Sequence, residues 1–129
     1  MTPLGREWVR RAEADRRTAI LLRAHRPMIH MSICFHCQQY AEKYLKALLH
    51  EWQQPVPRTH DCRTLITRLS AADPTLGKLM RSAASLVPMA VDLRYPGYQP
   101  TPSESRSAWN AAERIRAEVR RRLGLRPRP

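Results

Sequence analysis

The sequence predicts an all-α protein, an antiparallel up-and-down bundle of four long helices plus one short helix. Over most of the chain, apolar residues recur at spacings of three and four, the period of a helix with one buried face. No segment alternates apolar and polar residues as a half-buried strand would. Prolines fall in the gaps between most of the periodic segments, and the resulting segment lengths suit a helical bundle.

The first two helices are separated by a proline. Helix one is predicted over Pro3–His25, with Thr2 as its N-cap, and Pro27 ends it. Helix two is predicted over Met31–Gln53 and ends before Pro55. Its predicted core face consists of Ile33, Cys37, Ala41, Tyr44, Leu48 and Trp52.

Helices three and four follow each other closely. Helix three is short, over His60–Ala71, with Thr59 as the predicted cap. Asp73 caps helix four, whose apolar period runs over Pro74–Leu93. Because Pro88 has no N–H to donate, we expect a kink one turn earlier, near position 84.

Three prolines and a glycine in residues 94–104 predict an ordered loop. Helix five then begins with a capping box, in which Thr101 caps, Pro102 takes the first position and Glu104 reaches back. We expect a single domain over residues 1–124 and a disordered basic tail over residues 125–129.

The chain of 129 residues has a formal net charge of +12, from 23 basic and 11 acidic residues. Residues 105–129 hold eight arginines against two glutamates, half of the excess, so polyanions such as RNA should be attracted. No run approaches the roughly 18 to 20 apolar residues of a membrane span, and no secretion signal is evident, so we expect a cytoplasmic protein.

The three cysteines, Cys34, Cys37 and Cys62, are an odd number without a secretion signal. We therefore expect free thiols packed in the core. A structural zinc site usually needs a second pair of ligands at suitable spacing, so no metal is predicted. No cofactor is predicted either.

Helix two carries two candidate surfaces. Phe35, Gln38 and Glu42 form a stripe beside the core face, which suggests a dimer interface or a partner helix. Alternatively, Glu42 and Lys46 form an ordinary surface pair that stabilises the helix. Lys43 lies on a more hydrophilic edge that either contacts phosphate or is simply solvated.

Two further segments are candidates for phosphate binding. Arg58 and His60 lie at the start of helix three, where unpaired N–H groups favour anions, although an ordinary helix start has the same composition. Arg94 lies next to Tyr95, a pairing suited to holding a phosphate and stacking a base. Alternatively, Arg94 bonds helix-end carbonyls and pairs with Asp15.

Three segments in this order resemble the HEPN family, small all-helical domains associated with nucleotides and RNA. They are FHCQQYAEKYLKALL (Phe35–Leu49), RTHD (Arg58–Asp61) and RYP (Arg94–Pro96). The resemblance extends from Trp8 to the last helix.

The resemblance implies a metal-free chemistry for those HEPN domains that are ribonucleases. In them an arginine is followed after four to six residues by a histidine, which helps to deprotonate a ribose 2′-OH, and two subunits share a cleft. In this sequence four residues follow Arg94 and the next one is Gln99, where the motif would have its histidine. No histidine occurs after His60. Small HEPN proteins with RYP are commonly partnered with a minimal nucleotidyltransferase in two-gene toxin–antitoxin modules.

Three hypotheses follow. The first is a homodimeric nucleotide- or RNA-binding HEPN protein with a nucleotidyltransferase partner. Its site residues are Arg58, His60, Arg94, Tyr95 and Lys43. The second is a metal-independent endoribonuclease that uses His60 with Arg94. The third is a non-catalytic dimeric interaction scaffold.

Overall fold

Six α-helices and two short 3-10 helices make up the regular structure of residues 1–127, the part of the chain that the computed structural model describes. They are α1 (Pro3–Ala24), α2 (His30–Glu51), α3 (Cys62–Ala72), α4 (Met80–Ser85), α5 (Val87–Val91) and α6 (Pro102–Arg122), with 3-10 helices over Pro74–Leu79 and Asp92–Arg94. The side chain of Arg94 and all of Arg128 and Pro129 lie outside this description. The division into a domain over 1–124 and a tail stays a prediction.

Helix α2 is the central element of the bundle. Of its 22 residues, 13 are buried, so it is covered on nearly every side. Between Tyr40 and Leu49 only Lys43 is not fully buried. Helices α1 and α6 pack along α2, and α3 and α5 contact it as well. The all-α bundle predicted from the apolar period is confirmed.

The predicted fourth helix is wrong in one respect, because it is not continuous. A 3-10 helix over Pro74–Leu79 leads into α4, and the chain breaks at Leu86 before α5. Pro88 has no N–H to donate to the carbonyl of Ala84. Just before it, Leu86 N donates to the carbonyl of Ala83, three residues back, at 3.1 Å, which is the bond of a 3-10 turn. The bundle therefore has three long helices and a segmented fourth.

The capping residues predicted from the sequence are confirmed at three helix starts. Thr2 Oγ1 accepts a hydrogen bond from Gly5 N at 3.0 Å at the start of α1. Thr101 and Glu104 form the predicted capping box of α6, with both bonds at 3.1 Å. Asp73 caps the 3-10 helix that follows it. These bonds satisfy N–H groups that a helix cannot pair internally.

The start of α3 differs from the prediction. The helix begins at Cys62, and Asp61 caps it by accepting from Arg63 N at 2.9 Å. Thr59 instead accepts from Asp61 N at 3.1 Å. Both residues favour caps, and the structure uses the second. As a result His60 precedes the helix and is held by the turn before it.

Two charged clusters tie α1 to α6 across α2. In the first, Arg16 Nε donates to Glu113 Oε1 at 2.7 Å, and the hydroxyl of Tyr40 donates to the same oxygen at 2.9 Å. Arg16 also lies over the ring of Trp109, 5.6 Å from its centroid. The buried polar atoms of three helices thereby satisfy one another.

In the second cluster, Arg116 Nε donates to Glu13 at 2.9 Å, and the hydroxyl of Tyr44 donates to the same carboxylate at 2.6 Å. Burial opposes the charge of Glu13, but the bonds from Arg116 and Tyr44 outweigh it and lower the pKa of Glu13. Arg120 also donates to the Tyr44 hydroxyl, at 3.0 Å. The outer helices are thus fixed in register.

Cys34, Cys37 and Cys62 are free thiols and buried, as predicted. Burial raises the pKa of Cys34 to about 11 and that of Cys37 to about 12, so both are neutral at physiological pH. Among residues 1–127, no helix has the length and apolar character that a membrane crossing requires.

Candidate functional site

The site begins with a buried ion pair on α2. Lys46 Nζ donates to Glu42 Oε2 at 3.0 Å, and only 4% of Glu42 and 7% of Lys46 is exposed. The prediction of a surface pair is therefore wrong. The ring of Trp8 on α1 lies 5.8 Å from Lys46 Nζ and helps to enclose it. The two charges depend on each other because little water reaches either.

The second carboxylate oxygen of Glu42, Oε1, has two partners of its own, the side chains of Gln38 and His60. Gln38 Nε2 donates to Glu42 Oε1 at 3.0 Å and also to the backbone carbonyl of His60 at 2.9 Å. Gln38 is 1% exposed. Two of the three interface candidates, Gln38 and Glu42, therefore lie inside the molecule, since the turn before α3 covers them. Phe35 is exposed, and its role in an interface stays a prediction.

His60 joins this buried network to solvent. Its Nδ1 lies 2.9 Å from Glu42 Oε1, while its side chain is 54% exposed. A carboxylate beside Nδ1 favours a proton on that nitrogen and fixes the orientation of the ring. Nε2 is then available to accept a proton from a ligand or, when the ring is protonated, to donate a hydrogen bond.

A cavity of about 240 Å³ lies beside His60. Its walls are Thr59, His60 and Asp61 from the turn before α3, Val87, Ala90 and Val91 from α5, and Tyr95. Tyr95 is 65% exposed, so much of its side chain is accessible to a ligand. The cavity thus combines an imidazole with an apolar wall and an accessible aromatic ring.

A negative charge at the rim is offset by a neighbouring arginine. The guanidinium of Arg63 forms an ion pair with Asp61 at 3.0 Å and hydrogen-bonds to it. These bonds are the main cause of the lowered pKa of Asp61, which therefore stays ionised in neutral solution. Asp61 is engaged as a cap and as the partner of Arg63, so it repels an incoming anion less than a free carboxylate would.

The structure brings some of the predicted site residues together and separates others. His60 and Tyr95 line the same cavity, and the backbone of Arg94 lies directly before Tyr95. Arg58 is exposed and does not line the cavity. Of the predicted phosphate contacts Arg58, His60 and Arg94, one described side chain lines this cavity, that of His60. The binding roles stay predictions.

Lys43 points elsewhere on α2, where it pairs with Asp15 of α1. His36 Nδ1 lies 2.9 Å from the other oxygen of Asp15. Asp15, considered as a partner for Arg94, therefore has two partners on α2. Because adjacent helix positions point about 100° apart, Lys43 does not share the surroundings of Glu42.

The sequence interpretation missed Glu42 as the partner of His60. Eighteen residues separate the two in the chain, and no local pattern links them. The sequence did contain one signal: Glu42 and Lys46 lie within Tyr40–Leu49, a segment in which most of the other residues are apolar. A charged pair in such a run is typical of a buried polar site.

The fold and the site together define a small helical-bundle domain with a polar site beside a segmented helix. The chain belongs to the HEPN domain family, whose sequence pattern matches residues 6–122. This membership supports a nucleotide- or RNA-related role in general. A search of curated proteins and a search of solved structures each found no significant match.

We expect the substitution Glu42→Gln to cost about 3 kcal/mol of unfolding free energy, because it leaves Lys46 buried without a counter-charge. The double variant Glu42→Gln/Lys46→Met should lose less than the single one, since it removes both buried charges. Urea unfolding at pH 7 measures both. Additive losses in the double variant would show that the two charges do not depend on each other.

Proposed function

We propose that this protein is a HEPN-type nucleotide- or RNA-binding protein whose ligand occupies the cavity between α5 and the turn before α3. It acts in the cytoplasm as a homodimer, the HEPN component of a two-gene toxin–antitoxin module with a minimal nucleotidyltransferase. One observation carries the proposal: His60 is oriented by the buried Glu42 and faces a cavity that it shares with Tyr95.

The cavity offers a different group for each part of a nucleotide. Protonated His60 donates from Nε2 to a phosphate oxygen, a charge-assisted bond. The open ring of Tyr95 stacks on a base, an interaction that tolerates any base. The side chains of Val87 and Ala90 give the ligand an apolar wall. Arg94, which precedes Tyr95 in the chain, supplies the second phosphate contact in this proposal.

The overall charge supports a polyanionic ligand. A net charge of +12 attracts RNA at long range and accelerates encounter, with an effect that weakens as salt rises. Long-range attraction alone would not select a site. The cavity supplies the local geometry that diffuse charge lacks.

A partner protein is supported by the mouth of the cavity. Val91 is 50% exposed and Tyr95 is 65% exposed, so two apolar side chains face solvent side by side. Contiguous exposed apolar patches mark interaction sites, and we propose that these two side chains belong to such a patch. The nucleotidyltransferase and the second copy of the chain are proposed from the resemblance described above and from this surface.

We expect Tyr95→Ala to weaken RNA binding about tenfold, because one stacked base contributes roughly 1–3 kcal/mol. His60→Ala and Arg94→Ala should also weaken it, since each removes a phosphate contact. Fluorescence anisotropy with a labelled oligoribonucleotide at fixed salt measures the affinity of each variant.

Matched controls remove the same residue types elsewhere. His25→Ala and Arg126→Ala each take away an exposed side chain outside the cavity. Their affinities should stay within about twofold of the unmodified protein, well under the 1.4 kcal/mol that a tenfold change represents. Equal losses in site and control variants would mean that charge and surface area, rather than this cavity, hold the RNA.

A second candidate function is favoured by the pairing of Glu42 with His60. A carboxylate that holds Nδ1–H leaves Nε2 unprotonated in the neutral ring, as a general base requires. Nε2 would take the proton of a ribose 2′-OH, and the 2′-oxygen would attack the adjacent phosphorus. The bond to the 5′-oxygen would then break, and that oxygen would take a proton from the protonated Nε2 or from water, which yields a 2′,3′-cyclic phosphate and a 5′-hydroxyl end.

We expect such an endoribonuclease to cleave labelled RNA in the presence of EDTA, because its chemistry uses no metal. His60→Ala should abolish cleavage, while His25→Ala should leave it unchanged. Gel analysis of the products, including a test for cyclic phosphate ends, measures the reaction. Intact RNA, or cleavage that persists in His60→Ala, removes this candidate and leaves binding alone.

A further inference from the structure

A second concave surface lies away from His60, between α4 and the first half of α6. We call it the arginine groove, after Arg81 of α4 and Arg106 and Arg114 of α6, which line it. Its volume is about 310 Å³. The two helices pack against each other beneath it, so the groove is built on regular secondary structure.

The charge of the groove is positive and uncompensated. No acidic residue lines it. Within residues 1–127, the guanidinium groups of Arg81, Arg106 and Arg114 form no ion pair or hydrogen bond. They differ in this from Arg121 and Arg122 at the end of α6, which pair with Glu118. Three cations at one concavity, with no counter-charge, favour an anion.

The acidic residues of α6 are engaged on its other faces. Glu104 bonds to Thr101 and Tyr98, at 3.1 and 3.0 Å, as part of the helix start. Glu113 pairs with Arg16 of α1 at 2.7 Å. Glu118 pairs with arginines one turn further on. The face of α6 that lines the groove therefore keeps only its positive charges.

Neutral hydrogen-bonding groups fill the space between the arginines. Ser82 and Ser85 of α4, and Ser103, Ser107 and Asn110 of α6, contribute hydroxyls and one amide. The Ser85 hydroxyl donates to the Ser82 carbonyl at 2.8 Å, and its oxygen can still accept. No aromatic side chain lines the groove. These groups suit phosphate and sugar oxygens, and there is no ring on which a base could stack.

The spacing of the arginines indicates an extended ligand. Arg106, Asn110 and Arg114 recur every four residues on one face of α6, so successive members are about 6 Å apart along the axis. Arg106 and Arg114 are therefore about 12 Å apart along that axis, so the cations form a row and do not meet at one point of the helix. A chain of phosphates would contact all three arginines.

From these observations we propose that the arginine groove binds the phosphate backbone of single-stranded RNA without base preference. This inference rests on the proposed RNA-related function and adds a second contact surface to it. The cavity at His60 recognises a nucleotide, and the groove holds neighbouring phosphates of the same or another strand segment. The two surfaces share no lining residue.

The test compares two triple variants that remove equal charge. Arg81→Gln/Arg106→Gln/Arg114→Gln changes the groove, and Arg17→Gln/Arg68→Gln/Arg126→Gln changes three exposed arginines elsewhere. Binding of labelled twelve-nucleotide oligouridylate and oligoadenylate is measured by anisotropy across a salt series. Circular dichroism confirms that each variant is folded, and the single variant Arg106→Gln serves if the triple is not.

We expect the groove variant to lower affinity at least tenfold and to reduce the slope of log affinity against log salt by about 2, since each lost phosphate contact removes about 0.7. Both oligonucleotides should be affected equally. The control variant should lose markedly less affinity, and its slope should change by less than the value of about 0.7 that one phosphate contact contributes. Equal losses in the two triples would overturn the proposal in favour of diffuse charge.

Other outcomes separate the groove from the site at His60. If Tyr95→Ala weakens binding and the groove variant does not, the groove proposal fails and the cavity stands. If the groove variant weakens binding and Tyr95→Ala does not, the cavity fails and the groove stands. An unmodified protein that binds neither oligonucleotide overturns both. If the groove variant keeps its RNA affinity but no longer binds poly-glutamate, the groove binds an acidic protein, and the proposal is overturned.

Discussion

The enclosure of α2 is the constraint on which the rest of the structure depends. A helix covered on nearly every side must pair each polar group that it carries, because an unpaired buried charge is costly. Tyr40 and Tyr44 meet this requirement through carboxylates of α6 and α1. Glu42 meets it through Lys46 and through His60, which lies outside the helix. The hydrogen bonds that the polar groups of α2 require therefore hold α1 and α6 in place and position the His60 imidazole at the surface.

The break in the fourth helix completes the site. Pro88 removes one hydrogen-bond donor, and the chain restarts as the five-residue α5. This short helix supplies Val87 and Ala90 to the wall opposite His60, and the chain that follows supplies Tyr95. The same segmentation leaves α4 free to pack on α6, where Arg81 joins Arg106 and Arg114. The break at Leu86, two residues before Pro88, thus separates the segment that lines the arginine groove from the segment that lines the His60 cavity.

Features encoded within a few residues could be predicted, and features that depend on tertiary neighbours could not. The apolar period, the capping box at Thr101 and the family membership are local or sequential signals, and all three are confirmed. Glu42 and Lys46 are four residues apart, a spacing that is the same on a solvated face and in a core, so burial decided their role. The contact of His60 with Glu42, and the lack of any partner for the groove arginines within residues 1–127, needed the three-dimensional arrangement.

The most direct measurement of the central claim is long-range proton–nitrogen NMR of the His60 ring, titrated with AMP. We expect the free protein to carry the proton on Nδ1, because Glu42 accepts it, and we expect the Nε2 resonance of His60 to move as AMP binds while those of His25 and His50 stay in place. A His60 ring protonated on Nε2 alone, or one whose resonances ignore AMP that binds elsewhere, would contradict the claim that a buried carboxylate holds this imidazole ready for a nucleotide.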